Sequence, residues 1–138
     1  DSENNSSMVL LLVLGDKRFL FTGDAGKGAL NKVVEYTESL QYSLSGLDFL
    51  DVPHHGSKRN LGPTILNKLA PKLAFISCPP EGDPKHPSRK VVNALLRRNC
   101  KVQTNKHGKT VCFPCDTAPQ REGWGPAIPE TFHNQVEE

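Results

Sequence analysis

No apolar run in this 138-residue sequence approaches the roughly 20 residues needed to cross a bilayer. The longest, Met8 to Leu14, is stopped by Gly15 and Asp16. No basic stretch leads into an apolar one at the start, so nothing reads as a secretory signal. Because the first residue is Asp1 rather than Met, the expectation is a processed product or a fragment. Aromatic residues are scarce at 7%, and there is no internal repeat or low-complexity tract. The four cysteines are too few and too scattered to argue for a disulfide scaffold. Cys112-Phe-Pro-Cys115 has the spacing of half a zinc ribbon, but no second C-x-x-C follows. These two, with Cys78 and Cys100, read as ordinary thiols.

What is present fits one soluble domain with one modest core: 36% hydrophobic and 23% charged residues. The net charge of +2 hides an uneven distribution. Residues 1–53 carry four basic and eight acidic groups, a net of −4. Residues 54–109 carry twelve basic and two acidic groups, a net of +10. The remainder returns to −4, with Arg121 against five acids. A basic middle favours an anionic partner such as phosphate or nucleic acid. A merely solvated surface is the competing reading. Phe75 is the one aromatic in the basic stretch, so recognition of single strands by base stacking has little support.

Apolar patterning alternates strands with helices. Ser7 to Leu14 reads as a strand buried on both faces, and Lys17 to Thr22 returns as the second arm of a hairpin. A helix is expected from about Lys27 to Gln41, a strand over Leu47 to Val52 and a short helix begun by Pro63. Leu73 to Ser77 is a fourth strand, and Ser88 is placed to cap a helix carrying Val91, Val92, Leu95 and Leu96. Lys101 to Thr104 and Lys109 to Phe113 are expected to be strands joined by a turn. Residues 1–113 form the expected α/β domain and 114–138 a Pro- and Gly-containing tail.

Three polar loops each follow the carboxyl end of a strand: Gly23-Asp24, His54-His55-Gly56-Ser57 and Lys85-His86-Pro87-Ser88. In open α/β sheets that edge is where ligands bind. One carboxylate and two or three imidazoles gathered there suit zinc, manganese or iron. A metal so held lowers the pKa of bound water towards neutrality. Lys58, Arg59 and Lys85 flank these loops and suit phosphate oxygens, as do the hydroxyl and N–H of Ser57. Ser57 is disfavoured as a nucleophile, because its surroundings point to a metal-bound water. Each residue also has a plain structural reading. Asp24 could cap the Lys27 helix, and His86 could be only a loop residue before a helix. His107 and His133 read as solvated. Adjacent histidines after an apolar strand have no obvious structural purpose.

The order of N-N-S-S, F-L-F-T-G-D, D-V-P-H-H-G-S, P-K-L-A-F-I-S and a later H-P resembles the metallo-β-lactamase-fold hydrolases. Within that superfamily it is most similar to the carboxyl-terminal hydrolase domain of ComEC-type DNA-uptake (competence) proteins. The match runs from about Asn4 to Phe113. The resemblance implies that Asp24 is a metal-bridging aspartate. It implies that the H-H-G-S loop carries a ligand histidine, His55 for preference, with His54 as an alternate or a supporting donor. His86 resembles a position near the site that either contacts substrate or binds metal. The implied chemistry is attack of a metal-bound hydroxide on an ester, amide or phosphodiester, and for the competence branch on a nucleic-acid strand.

The family's H-x-H-x-D-H motif belongs to the amino-terminal half of its αββα sandwich and is absent here. The chain therefore resembles the carboxyl-terminal half alone, a mixed sheet with helices on one face. A dinuclear zinc or manganese centre would need donors from a missing amino-terminal half or from a second chain, a homodimer included. Two functions follow. One is a metal-dependent hydrolase, of phosphodiesterase or nuclease type, with Asp24, His55 and His86 at its centre. The other is a noncatalytic module that binds anions or nucleic acid on the same basic surface.

Overall fold

The computed structural model describes residues 6–79, 86–106, 111–112, 122–123, 125–126 and 128–137. Strands β1 (Leu10–Leu14) and β2 (Lys17–Phe21) form the expected hairpin, paired antiparallel from Leu10–Phe21 to Leu14–Lys17. Gly15 turns it at φ 60°, a left-handed value that glycine adopts without steric cost. Helix α1 (Lys27–Ser39) leads to β3 (Phe49–Asp51). Helix α2 (Pro63–Leu69) has proline at its first turn, and β4 (Leu73–Ile76) follows. Helix α3 (Arg89–Leu96) precedes β5 (Lys101–Thr104). The five strands lie in the order β1-β2-β3-β4-β5, with every pairing after the first parallel. Each parallel crossover runs through a helix or its turn, as parallel pairing requires.

One sheet face is the core. Leu20, Leu50, Ala74 and Val102 stand in register across β2 to β5 and are almost fully buried. Leu30 and Val34 of α1, Ile65, Leu66 and Leu69 of α2, and Val92 and Leu95 of α3 join them in one cluster. Each leucine so buried contributes about 1.5–3 kcal/mol relative to an exposed one.

The other face departs from expectation. The first apolar run does not form a strand buried on both sides. Leu10 is 54% exposed, Leu12 46% and Leu14 68%. Leu10 and Leu12 are in register with Phe21 and Phe19, and Phe19 with Phe49, so one apolar surface continues across three strands. Its rings pack at a tilt, with the Phe49 ring centre 6.0 Å from that of Phe19 and 5.7 Å from that of Phe21. An apolar run looks the same in sequence whether or not a second layer covers it, and β1 is moreover an edge strand.

The second strand pair also differs. Instead of a hairpin with β5, β6 (Val111–Cys112) pairs in parallel with β7 (Gly125–Pro126). Residues 128–137 run along β5 and α3. Glu130 N–H donates to the Val102 carbonyl at 2.7 Å, and the Thr104 hydroxyl donates to the Glu130 carboxylate at 2.7 Å. The Arg97 guanidinium lies 5.1 Å from the centre of the Phe132 ring. Buried Asn93 clasps the His133 backbone from both sides, donating to its carbonyl at 2.8 Å and accepting from its N–H at 2.9 Å. Asn93→Ala is expected to cost about 1–3 kcal/mol, because two polar partners lose a fitted mate. Limited proteolysis checks this, with faster cutting within 128–137 in the variant.

At the opposite edge of the core, Asp48 joins β2, β3 and β4. It accepts the Lys72 ammonium at 2.8 Å and the Arg18 N–H at 3.0 Å. The Lys72 hydrogen bond, chiefly, holds its carboxyl below the ordinary 3.8, against a smaller opposing effect of burial. A depressed folded pKa means that this stability is present above about 3.8 and is lost as pH falls through the folded value. Asp48→Asn is thus expected to cost about 1 kcal/mol near pH 7 after allowance for solvent screening. Urea midpoints of the two proteins should converge as the pH approaches about 2.

Candidate functional site

The three polar loops meet at the carboxyl edge of the sheet because parallel β2, β3 and β4 all end there. Backbone hydrogen bonds join the first two. His54 N–H donates to the Gly23 carbonyl at 3.0 Å, and the buried Thr22 hydroxyl donates to the Asp51 carbonyl at 2.6 Å. The buried Asn60 amide reaches back to the carbonyls of Asp24 at 3.1 Å and Ala25 at 3.3 Å. The third loop is joined through Ser88 N–H, which donates to the Gly56 carbonyl at 3.0 Å.

His54–Gly56 forms a 3₁₀ turn in which three successive residues are left-handed, at φ 48°, 55° and 78°. For histidine such a conformation costs of order 1–3 kcal/mol, and strain of this kind concentrates at functional sites. Gly56 is required twice over. Its φ is positive, and a Cβ there would lie 2.8 Å from the Pro87 side chain and 3.0 Å from that of Ile76.

This backbone gathers three imidazoles. The His54 ring centre is 6.2 Å from that of His55 and 6.1 Å from that of His86. His55 Nδ1 sits 2.7 Å from the Ser77 carbonyl. A carbonyl only accepts, so Nδ1 donates to it and Nε2 is the ring nitrogen left for another partner. His86 Nδ1 is buried and has no hydrogen-bond partner among the described residues. Burial, followed by the neighbouring His54 and His55, pushes His86 below its ordinary value of 6.5, so its ring is neutral at pH 7. A neutral imidazole with an unused nitrogen is the form that binds metal.

Asp24 lies exposed in the T-G-D turn. It does not cap α1, whose first-turn boundary is Gly26 with no side-chain cap. Ser57 is buried, and its hydroxyl accepts the Arg59 N–H at 3.3 Å. Lys58 and Arg59 are exposed beside it. Lys85, His107 and Cys115 lie outside the described residues, as does the Cys112 side chain. Cys78 and Cys100 are free, buried thiols, and burial pushes Cys100 up to about 12. Among the described residues no three His, Cys, Asp or Glu side chains converge closely enough to hold a metal ion.

Several contributors carry no signal in sequence. Asp51 is half-buried at the end of β3, and burial raises its carboxyl above the ordinary range while nearby His55 opposes the rise. Asn60 and Ser77 act through a side-chain amide and a main-chain carbonyl, which no motif advertises. Ser88 does not cap α3 with its own hydroxyl. It donates instead to the Glu137 carboxylate, which also accepts the N–H groups of Arg89 at 3.2 Å and Lys90 at 3.5 Å.

No protein-family model matches the sequence. The chain is 34% identical over 108 residues to ComE operon protein 3 of Bacillus subtilis (strain 168), an alignment covering 78% of this chain and 13% of that protein. It is 31% identical over 102 residues to Recombination protein 2 of Haemophilus influenzae, covering 74% and 12% respectively. The chain thus spans about an eighth of the length of these curated relatives.

Proposed function

We propose that the chain is the carboxyl-terminal half of a metallo-β-lactamase-like metal-dependent hydrolase acting on a phosphodiester, with nucleic acid as its substrate. The observation that carries this reading is the His55 ring. Its Nδ1 proton is committed to the Ser77 carbonyl, leaving Nε2 as a fixed donor, the arrangement by which metal-binding histidines are oriented. His54 and His86 stand within about 6 Å of each other, and the T-G-D turn carrying Asp24 is hydrogen-bonded to the same loop. A zinc or manganese ion bound there would lower the pKa of a coordinated water towards neutrality. The main-chain carbonyl of Ser77 orients the His55 ring, and Lys58 and Arg59 offer positive charge to the phosphate.

The remaining donors come from a missing amino-terminal half or from a second copy. The exposed apolar face of β1, β2 and β3 supports this, since soluble proteins rarely leave so continuous a surface uncovered. The name Recombination protein 2 fits a role in recombination, and the ComE operon protein 3 match fits the competence branch that the resemblance implies. The incomplete donor set among the described residues favours a second reading, a noncatalytic binder of anions or nucleic acid.

Hydrolysis of a phosphodiester in zinc or manganese separates the two. Asp24→Ala and His55→Ala are each expected to abolish metal-dependent turnover. Full activity in both would overturn the hydrolase reading.

A further inference from the structure

Away from the imidazoles, a groove of about 530 Å³ runs between α2 and α3. Its walls are apolar, with Leu66 and Val91 among them, and four cations line it: Lys27, Lys58, Lys90 and Arg97. No carboxylate lines it among the described residues. The positions of the cations follow from the fold. Lys90 and Arg97 are seven residues apart, two turns of α3, so they share a side about 10 Å apart along its axis. Lys27 opens α1, and its side chain lies across Gly62, where a Cβ would sit 3.4 Å from the Lys27 Cε. Lys58 directly follows the H-H-G-S loop. Two of the lining cations thus stand close in sequence to the loops that present Asp24 and the histidines, Lys27 three residues after Asp24 and Lys58 next to Ser57.

We propose that this groove is a track for a single nucleic-acid strand leading from the histidine cluster across the helical layer. The cations neutralise successive phosphates, and the apolar walls take the sugars and base faces that a duplex keeps stacked inside. The walls offer few groups able to read base edges, so binding is tolerant of sequence. An acidic peptide is the other occupant that such a lining admits. The strand is favoured because Lys58 of the lining directly follows the H-H-G-S loop, where a phosphodiester is proposed to be cut. The proposal deepens that reading and rests on it for the choice of ligand, but its test needs no hydrolysis.

The test is fluorescence anisotropy of a labelled oligothymidylate of about 12 nucleotides, with the chain in excess chelator and salt varied from about 50 to 200 mM. The double variant Lys27→Ala/Lys90→Ala is expected to bind at least several-fold more weakly. Its slope of log K against log salt should fall by about 1.4, or 0.7 for each phosphate no longer neutralised. Lys32→Ala/Lys101→Ala, which removes two exposed cations outside the groove lining, serves as the control for net charge and should change both far less. Equal losses in the double variant and the control would overturn the track. So would tighter binding of a duplex, or displacement of nothing but an acidic peptide. A chain that cleaves a phosphodiester while ignoring Lys27 and Lys90 would sink the track and leave the hydrolase reading intact.

Discussion

Gly56→Ala is expected to destabilise the protein by about 2–4 kcal/mol and to disorganise the histidine cluster. Two penalties act together. Alanine at φ 78° must adopt a left-handed conformation that its Cβ disfavours by about 1–2 kcal/mol. The added Cβ also meets Pro87 at 2.8 Å and Ile76 at 3.0 Å, and Pro87 cannot swing away as a flexible side chain would. Relief requires the His86–Ser88 loop to retreat, which breaks the hydrogen bond from Ser88 N–H to the Gly56 carbonyl. That movement separates His86 from His54. The expected result is a lower urea midpoint together with weakened zinc binding. A surface-like change of under about 0.5 kcal/mol would show that the two loops are not held together through Gly56.

How much of this was legible beforehand differs from element to element. The hairpin of β1 and β2 and the Pro63 helix were legible because their signals are local: a G-D turn between apolar runs, and a proline at a first helical turn. The convergence of T-G-D, H-H-G-S and H-P followed from their shared place after strands, and the backbone hydrogen bonds bear that placement out. The exposure of Leu10, Leu12 and Leu14 was not legible, since covering a strand depends on what packs over it and not on the strand itself. Nor were the contacts of Asn93 with His133 and of Ser88 with Glu137, which join residues 40 and 49 positions apart. Asn60 was missed for a similar reason. A buried amide that satisfies carbonyls 35 and 36 residues away has the same appearance in sequence as an exposed one.

The second large effect concerns metal. His54→Ala and His86→Ala are each expected to reduce zinc affinity by at least 10-fold without unfolding the chain, because neither ring belongs to the core cluster. The effects should not be equal. His86 has a buried Nδ1 without a partner among the described residues and a pKa held down by burial, so it offers a neutral donor throughout the range above pH 6.5. Its removal also vacates the loop side of the cluster, whereas His54 stands between the other two rings. Changing Ser77 would not mimic either loss, because His55 is oriented by the Ser77 main-chain carbonyl, which survives substitution of the side chain.

The most direct test of a metal site at these loops is a zinc titration of the chain beside Asp24→Ala, His54→Ala, His55→Ala and His86→Ala, with folding verified for each. Saturable binding by the parent, and at least 10-fold weaker binding by every variant, is the expected result. Zinc bound no more tightly by the parent than by the four variants would contradict it.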